Sequence, residues 1–138
     1  MPRENIFSWP VRVYYEDSDA QGLVYYANYF KFMERARTEW IRALGIEQDV
    51  FLREQRRMFV VVDTRAEFVV PARFNDRLAV TARLLELTRA TFLIEQNIYR
   101  DRLDGELICR GTTRAALLNA DTLRPVRVPE SLFKDHRS

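Results

Sequence analysis

A chain of 138 residues, 47% apolar and 30% charged, is one globular domain (1–138) whose core needs neither disulfide nor metal. Its net charge of +2 is too small for the clustered basic stripe that nucleic-acid binding requires. Cys109 and His136 are the only cysteine and the only histidine, which excludes an internal disulfide, a Cys-rich zinc site and a multi-histidine metal centre.

In chain order, residues 9–16 alternate with period two: Val11, Val13 and Tyr15 on one face, Arg12, Tyr14 and Glu16 on the other. That predicts a strand, with Pro10 near its start. Asp17-Ser18-Asp19-Ala20-Gln21-Gly22 is turn chemistry. Tyr29, Met33, Ala36, Trp40 and Leu44 then recur at helical spacing, and Phe30, Phe32 and Ile41 widen the apolar stripe. The helix is expected over 26–44, with Asn28 as an N-cap candidate and Gly45 as its stop. Arg35 with Glu39, and Glu39 with Arg42, have the spacing of helical ion pairs.

Asp49 to Arg57 suggests a short second helix. Strands are expected over 58–70, 77–87, 91–100 and 106–118, with Pro71–Asp76 as a break and Asp104-Gly105 marking a hairpin turn. Residues 129–138 form a short tail with helical tendency. One long helix and an antiparallel sheet with short connections make a two-layer α+β domain. A single helix covers little of such a sheet, so open edges and an oligomer that joins them are expected.

No apolar run reaches membrane-spanning length, and Met1–Asn5 lacks the apolar stretch of a secretory signal, so no stable membrane insertion is expected. With His136 near the C-terminus, chemistry falls to carboxylates, hydroxyls, backbone amides and arginines. Glu16, Asp17 and Asp19 lie just before a helix, where unpaired N–H groups carry partial positive charge. Those groups can hold a developing oxyanion, and a nearby carboxylate can act as nucleophile or as general base. Gly22 lets the backbone come close to a ligand. The same aspartates also suit plain Asx-turns and caps, so the pattern admits both roles.

The run from Tyr15 to Tyr29, Tyr-Glu-Asp-Ser-Asp-Ala-Gln-Gly-Leu-Val-Tyr-Tyr-Ala-Asn-Tyr, followed by Glu34-Arg35-Ala36-Arg37, resembles the signature of the 4-hydroxybenzoyl-CoA thioesterase family. Within that family the chain is most similar to the bacterial acyl-CoA thioesterases associated with the Tol-Pal system. Trp9 to Tyr15, Pro71 to Asp76 and Arg124 to Pro129 extend the resemblance over nearly the whole chain. It implies the hotdog fold, a long helix wrapped by a curved antiparallel sheet of about five strands. It also implies homodimers, often homotetramers, with active sites at the subunit interface. By resemblance Asp19, not Asp17, is the catalytic aspartate, and the Tyr26 N–H binds the thioester carbonyl. Gly22 and Tyr25 lie beside the substrate, and Arg89 lies near the CoA phosphates, with Arg124 and Arg127 as weaker candidates. Many Tol-Pal-associated members carry histidine at the position of Tyr26, whereas the 4-hydroxybenzoyl branch carries tyrosine.

The expected function is hydrolysis of an acyl-CoA thioester to free acid and CoA, in the cytoplasm, with no cofactor and no metal. An acyl carrier protein is a further candidate donor or partner. The rival from another class is an acyl-CoA or acyl-carrier-protein binding module with little catalysis. A hotdog dehydratase is disfavoured by the lack of an internal histidine. Glu34 is a candidate second acid or a partner of Arg35 and Arg37. Cys109, in a strand pattern without histidine, reads as a buried inert thiol. Phe30, Phe32, Met33 and Trp40 read as core residues, some of which can line an acyl pocket.

Overall fold

The computed structural model describes residues 6–133, so His136 and the end of the expected tail lie outside the described residues. Two helices, α1 (Asn28–Ala43) and α2 (Gln48–Gln55), accompany five strands: β1 (Phe7–Arg12), β2 (Arg57–Phe68), β3 (Arg77–Leu87), β4 (Thr91–Arg100) and β5 (Leu107–Asn119). The strands form one antiparallel sheet in the order β1-β3-β4-β5-β2. α1 lies across it, which is the hotdog arrangement.

Helix α1 forms because Tyr29, Phe32, Met33, Ala36, Trp40 and Ile41 give it one buried face. It ends in a Schellman motif: Gly45 N–H donates to the Arg42 carbonyl at 2.9 Å and Ile46 N–H to Ile41 at 3.2 Å. That motif needs a left-handed residue, which Gly45 supplies at φ +102°. The start differs from expectation. Ala27 is the N-cap and Asn28 is already helical. α2 ends at Gln55, and its C-cap Arg56 takes up the left-handed conformation at φ 53°.

β1 ends at Arg12, not at Glu16. Val13 still bonds to the 75–76 turn, but Tyr15–Asp17 then closes into a 3₁₀ turn with Asp17 N–H on the Tyr14 carbonyl at 3.0 Å. Pro10 sits inside β1, not at its start, and is accommodated because β1 is an edge strand with one neighbour. β3 and β4 have the expected bounds. The tail contributes a 3₁₀ turn over Glu130–Phe133.

The core has two parts. Beneath the first half of α1, Tyr29, Phe32 and Met33 pack on Val11, Val80 and Ile98. Beneath its second half, Trp40 packs on Phe92 and stacks on Phe133, with ring centroids 5.5 Å apart. Where Met33 meets the sheet, the space at Gly111 is tight: a Cβ there would displace the end of the Met33 side chain. A Cβ there would lie 3.1 Å from the carbonyl oxygens of Arg65 and Gln96. Gln96, fully buried, ties the layers together: its amide donates to the Met33 carbonyl at 2.9 Å and its Oε1 accepts from Arg37 at 3.0 Å. Burial lowers the Arg37 pKa below the usual guanidinium range. Among the described residues no helix is long and apolar enough to cross a membrane.

Candidate active site

Residues 17–25 form a small hairpin that delivers the chain from the 3₁₀ turn into α1. Ser18 and Val24 bridge its limbs, Asp19 N–H donates to the Leu23 carbonyl at 2.8 Å, and Tyr25 N–H donates to the Asp17 carbonyl at 3.1 Å. Gly22 makes the turn at φ +80°, a left-handed conformation that favours glycine.

The two aspartates of this hairpin have different surroundings. Asp19 is exposed at the tip. Its Oδ1 accepts from the N–H groups of Gln21 at 2.9 Å and Leu23 at 3.2 Å, which fix the carboxylate's direction. Asp17 is 1% exposed at the base. Its Oδ2 accepts from Tyr14 N–H at 2.8 Å and its Oδ1 lies 3.5 Å from the Lys31 ammonium.

The start of α1 supplies the donors. Asn28, Tyr29 and Phe30 N–H groups bond to the carbonyls of Tyr25, Tyr26 and Ala27. Among the described residues the N–H groups of Tyr26 and Ala27 have no acceptor, and both residues are exposed. Asn28 bonds through its side chain, yet not as a cap: its Nδ2 donates to the Asp17 carbonyl at 2.8 Å.

An open apolar groove of about 250 Å³ runs beside this helix start, lined by Val24, Tyr26, Tyr29, Phe68, Val69, Val70 and Pro71. Phe68 meets the rings of Tyr26, Tyr29 and Phe30 at centroid distances of 6.1, 5.5 and 6.3 Å. Tyr29 accepts the Ala72 N–H at its hydroxyl, 3.0 Å away, which locks one wall. The Tyr25 and Tyr26 rings lie 4.8 Å apart, and the neighbouring Tyr26 hydroxyl raises the Tyr25 pKa above the usual phenol range. Phe68 was not singled out from sequence. Its position at the end of a strand, before Pro71, gave the only signal.

Arg89 lies elsewhere, in the β3–β4 turn. There Val128 N–H donates to the Arg89 carbonyl at 2.8 Å, so Arg89 and Arg127 face one cavity of about 310 Å³ with Thr88 and Glu130. Arg124 does not line it. Glu34 is exposed on α1 and, among the described residues, forms no ion pair with Arg35 or Arg37. It shares a cavity of about 150 Å³ with Arg37 near Val60 and Val61. Of the two expected helical pairs, Glu39–Arg42 forms at 2.7 Å. Cys109 is fully buried, and burial pushes its thiol up to about 12.

The sequence profile of the thioesterase-like superfamily matches residues 13–134, nearly the whole chain. The chain belongs to the thioesterase-like superfamily. Acyl-CoA thioesterase YbgC of Haemophilus influenzae is 40% identical over 129 residues, covering 94% of this chain and 93% of its own. A probable thioesterase from Bartonella henselae superposes with a TM-score of 0.82 at 29% identity, over 90% of this chain and 99% of the other. A mutant 4-hydroxybenzoyl CoA thioesterase complexed with 4-hydroxybenzoyl CoA superposes at 0.86. At 21% identity over 94% of this chain and 97% of its own, it speaks for the fold alone.

Proposed function

We propose that this member of the superfamily is an acyl-CoA thioesterase, with Asp19 and the Tyr26 N–H at the reacting carbonyl. The observation that carries the reading is the pair of unpaired N–H groups, Tyr26 and Ala27, opening α1 where one hairpin also presents an exposed, directed carboxylate. Preorganised backbone donors stabilise the oxyanion that forms when a thioester carbonyl is attacked, and the donation does not depend on the Tyr26 side chain.

Asp19 has two chemically complete routes. As a nucleophile its oxygen bonds to the carbonyl carbon, the C–S bond breaks, and CoA leaves as a thiolate. Water then cleaves the resulting anhydride. As a general base it takes a proton from water, whose oxygen attacks the same carbon. Both end in free acid and CoA thiol. The apolar groove beside Tyr26 supports an acyl site; Gly22 and Tyr25 do not line it and belong to the hairpin that leads into α1. The arginines at 89 and 127 support a site for the CoA phosphates, since guanidinium forks match phosphate oxygens.

Strand β2 is a 12-residue sheet edge with Val61 and Val62 about half exposed, which supports a homodimer, or a homotetramer, closed along it. A cytoplasmic site of action follows from the CoA substrate, and the Tol-Pal association rests on the family resemblance. The test is thiol release from aliphatic and aromatic acyl-CoAs, and from acyl carrier protein thioesters, by wild type and Asp19→Asn. Release by wild type and its loss in the variant support the reading. Tight acyl-CoA binding without release replaces it with a binding module.

A further inference from the structure

The hydrogen bonds around the hairpin single out a residue that the reaction does not touch. Asp17 is buried, with its carboxylate on the Tyr14 N–H and beside Lys31. Its backbone carbonyl receives two donors, the Tyr25 N–H at 3.1 Å and the Asn28 side-chain amide at 2.8 Å. The first bond uses up the Tyr25 N–H, so the free donors of the helix start at Tyr26. The second ties the first residue of α1 to the base of the hairpin. Asp19 lies two residues beyond Asp17 on one limb, and Tyr26 one residue beyond Tyr25 on the other.

We infer that Asn28 is a positioning residue: its amide clamps Asp17 to α1 and thereby sets the distance between Asp19 and the Tyr26 N–H. This rests on the reading of Asp19 and Tyr26 given above. The clamp requires a donor, because its target is a carbonyl oxygen. An isosteric aspartate presents acceptors only while it is ionised and gains a donor when protonated. Misplacement of reacting groups by about 1 Å can cost about 100-fold in turnover without altering ground-state binding.

The experiment compares wild type, Asn28→Ala, Asn28→Asp and Asp19→Asn in thiol release from the best acyl-CoA of the panel, between about pH 4 and 8, a range that reaches down to the ordinary aspartate pKa. Thermal midpoints are measured alongside. Asn28→Ala is expected to lower kcat about 10- to 100-fold while KM stays within about threefold. Asn28→Asp is expected to fall below Asn28→Ala at neutral pH, with the ratio of the two rising as pH drops and its carboxyl gains a proton. Wild-type kcat in Asn28→Ala overturns the positioning role while leaving Asp19 in place. So does a pH-independent ratio, or a loss of activity that only follows the fall in thermal midpoint. Wild-type activity in Asp19→Asn overturns the underlying reading and the positioning role with it.

Discussion

The base and the tip of one short hairpin carry the same side chain to opposite ends. At the base, Asp17 is withdrawn from solvent, and its oxygens face a backbone N–H and an ammonium. At the tip, Asp19 is turned outward by two N–H groups on one oxygen, which leaves Oδ2 without a hydrogen-bond partner among the described residues. A carboxylate that is buried and engaged at both oxygens serves the fold. One that is oriented but open can meet a substrate. Neighbourhood, not residue type, separates the two roles, as it does wherever paired acids divide their work.

Substitutions can break that comparison. Asp19→Asn has the largest expected effect: at least about a thousandfold loss of thiol release, roughly 4 kcal/mol in the barrier. The urea midpoint should be unchanged, because the amide oxygen still accepts from Gln21 and Leu23. A shifted midpoint would show that the tip also supports the fold. Asp17→Ala should do the reverse, lowering the unfolding free energy by about 1–2 kcal/mol, because the part-buried Tyr14 N–H loses its acceptor and the Lys31 ammonium loses its counter-charge. An unchanged midpoint in urea would remove the distinction between base and tip.

Arg89→Ala with Arg127→Ala acts on neither limb. It should raise KM for acyl-CoA about tenfold with little change in kcat, and flatten the dependence of KM on salt. The smallest effect is at Cys109. Its raised pKa means that the unfolded chain loses the thiol proton first, so the thiol's contribution to stability holds below about pH 9. It then declines as pH rises towards about 12. Iodoacetamide at neutral pH should neither label Cys109 nor reduce turnover; rapid labelling of native protein would contradict its burial.

Much of this architecture is legible in the residues. β3 and β4 keep their expected limits because alternation, a break at Pro71–Asp76 and the Asp104-Gly105 turn all agree. β1 does not, because Tyr14 and Tyr15 continue the period-two pattern while Asp17 reaches back to the Tyr14 N–H and closes a 3₁₀ turn. Asn28 suited an N-cap by type, but its partner is 11 residues away, beyond what local propensity describes. The pairing of Arg89 with Arg127 depends on the bond from Val128 to the Arg89 carbonyl, a contact that spacing along the chain does not announce. Sheet order was likewise out of reach, since both outer strands skip their sequence neighbours.

That strand order governs how the molecule is born. Phe7 of β1 finds its partner in Ala82, and Arg57 of β2 finds Asn119, so neither edge can zip until far later segments exist. The β3–β4–β5 meander can close locally, but α1 leaves the ribosome with its apolar face bare and no sheet to cover it. Such long-range pairing slows folding and lengthens the time for which sticky surfaces are shown. Until almost the last strand has emerged, the apolar face of α1 stays largely uncovered.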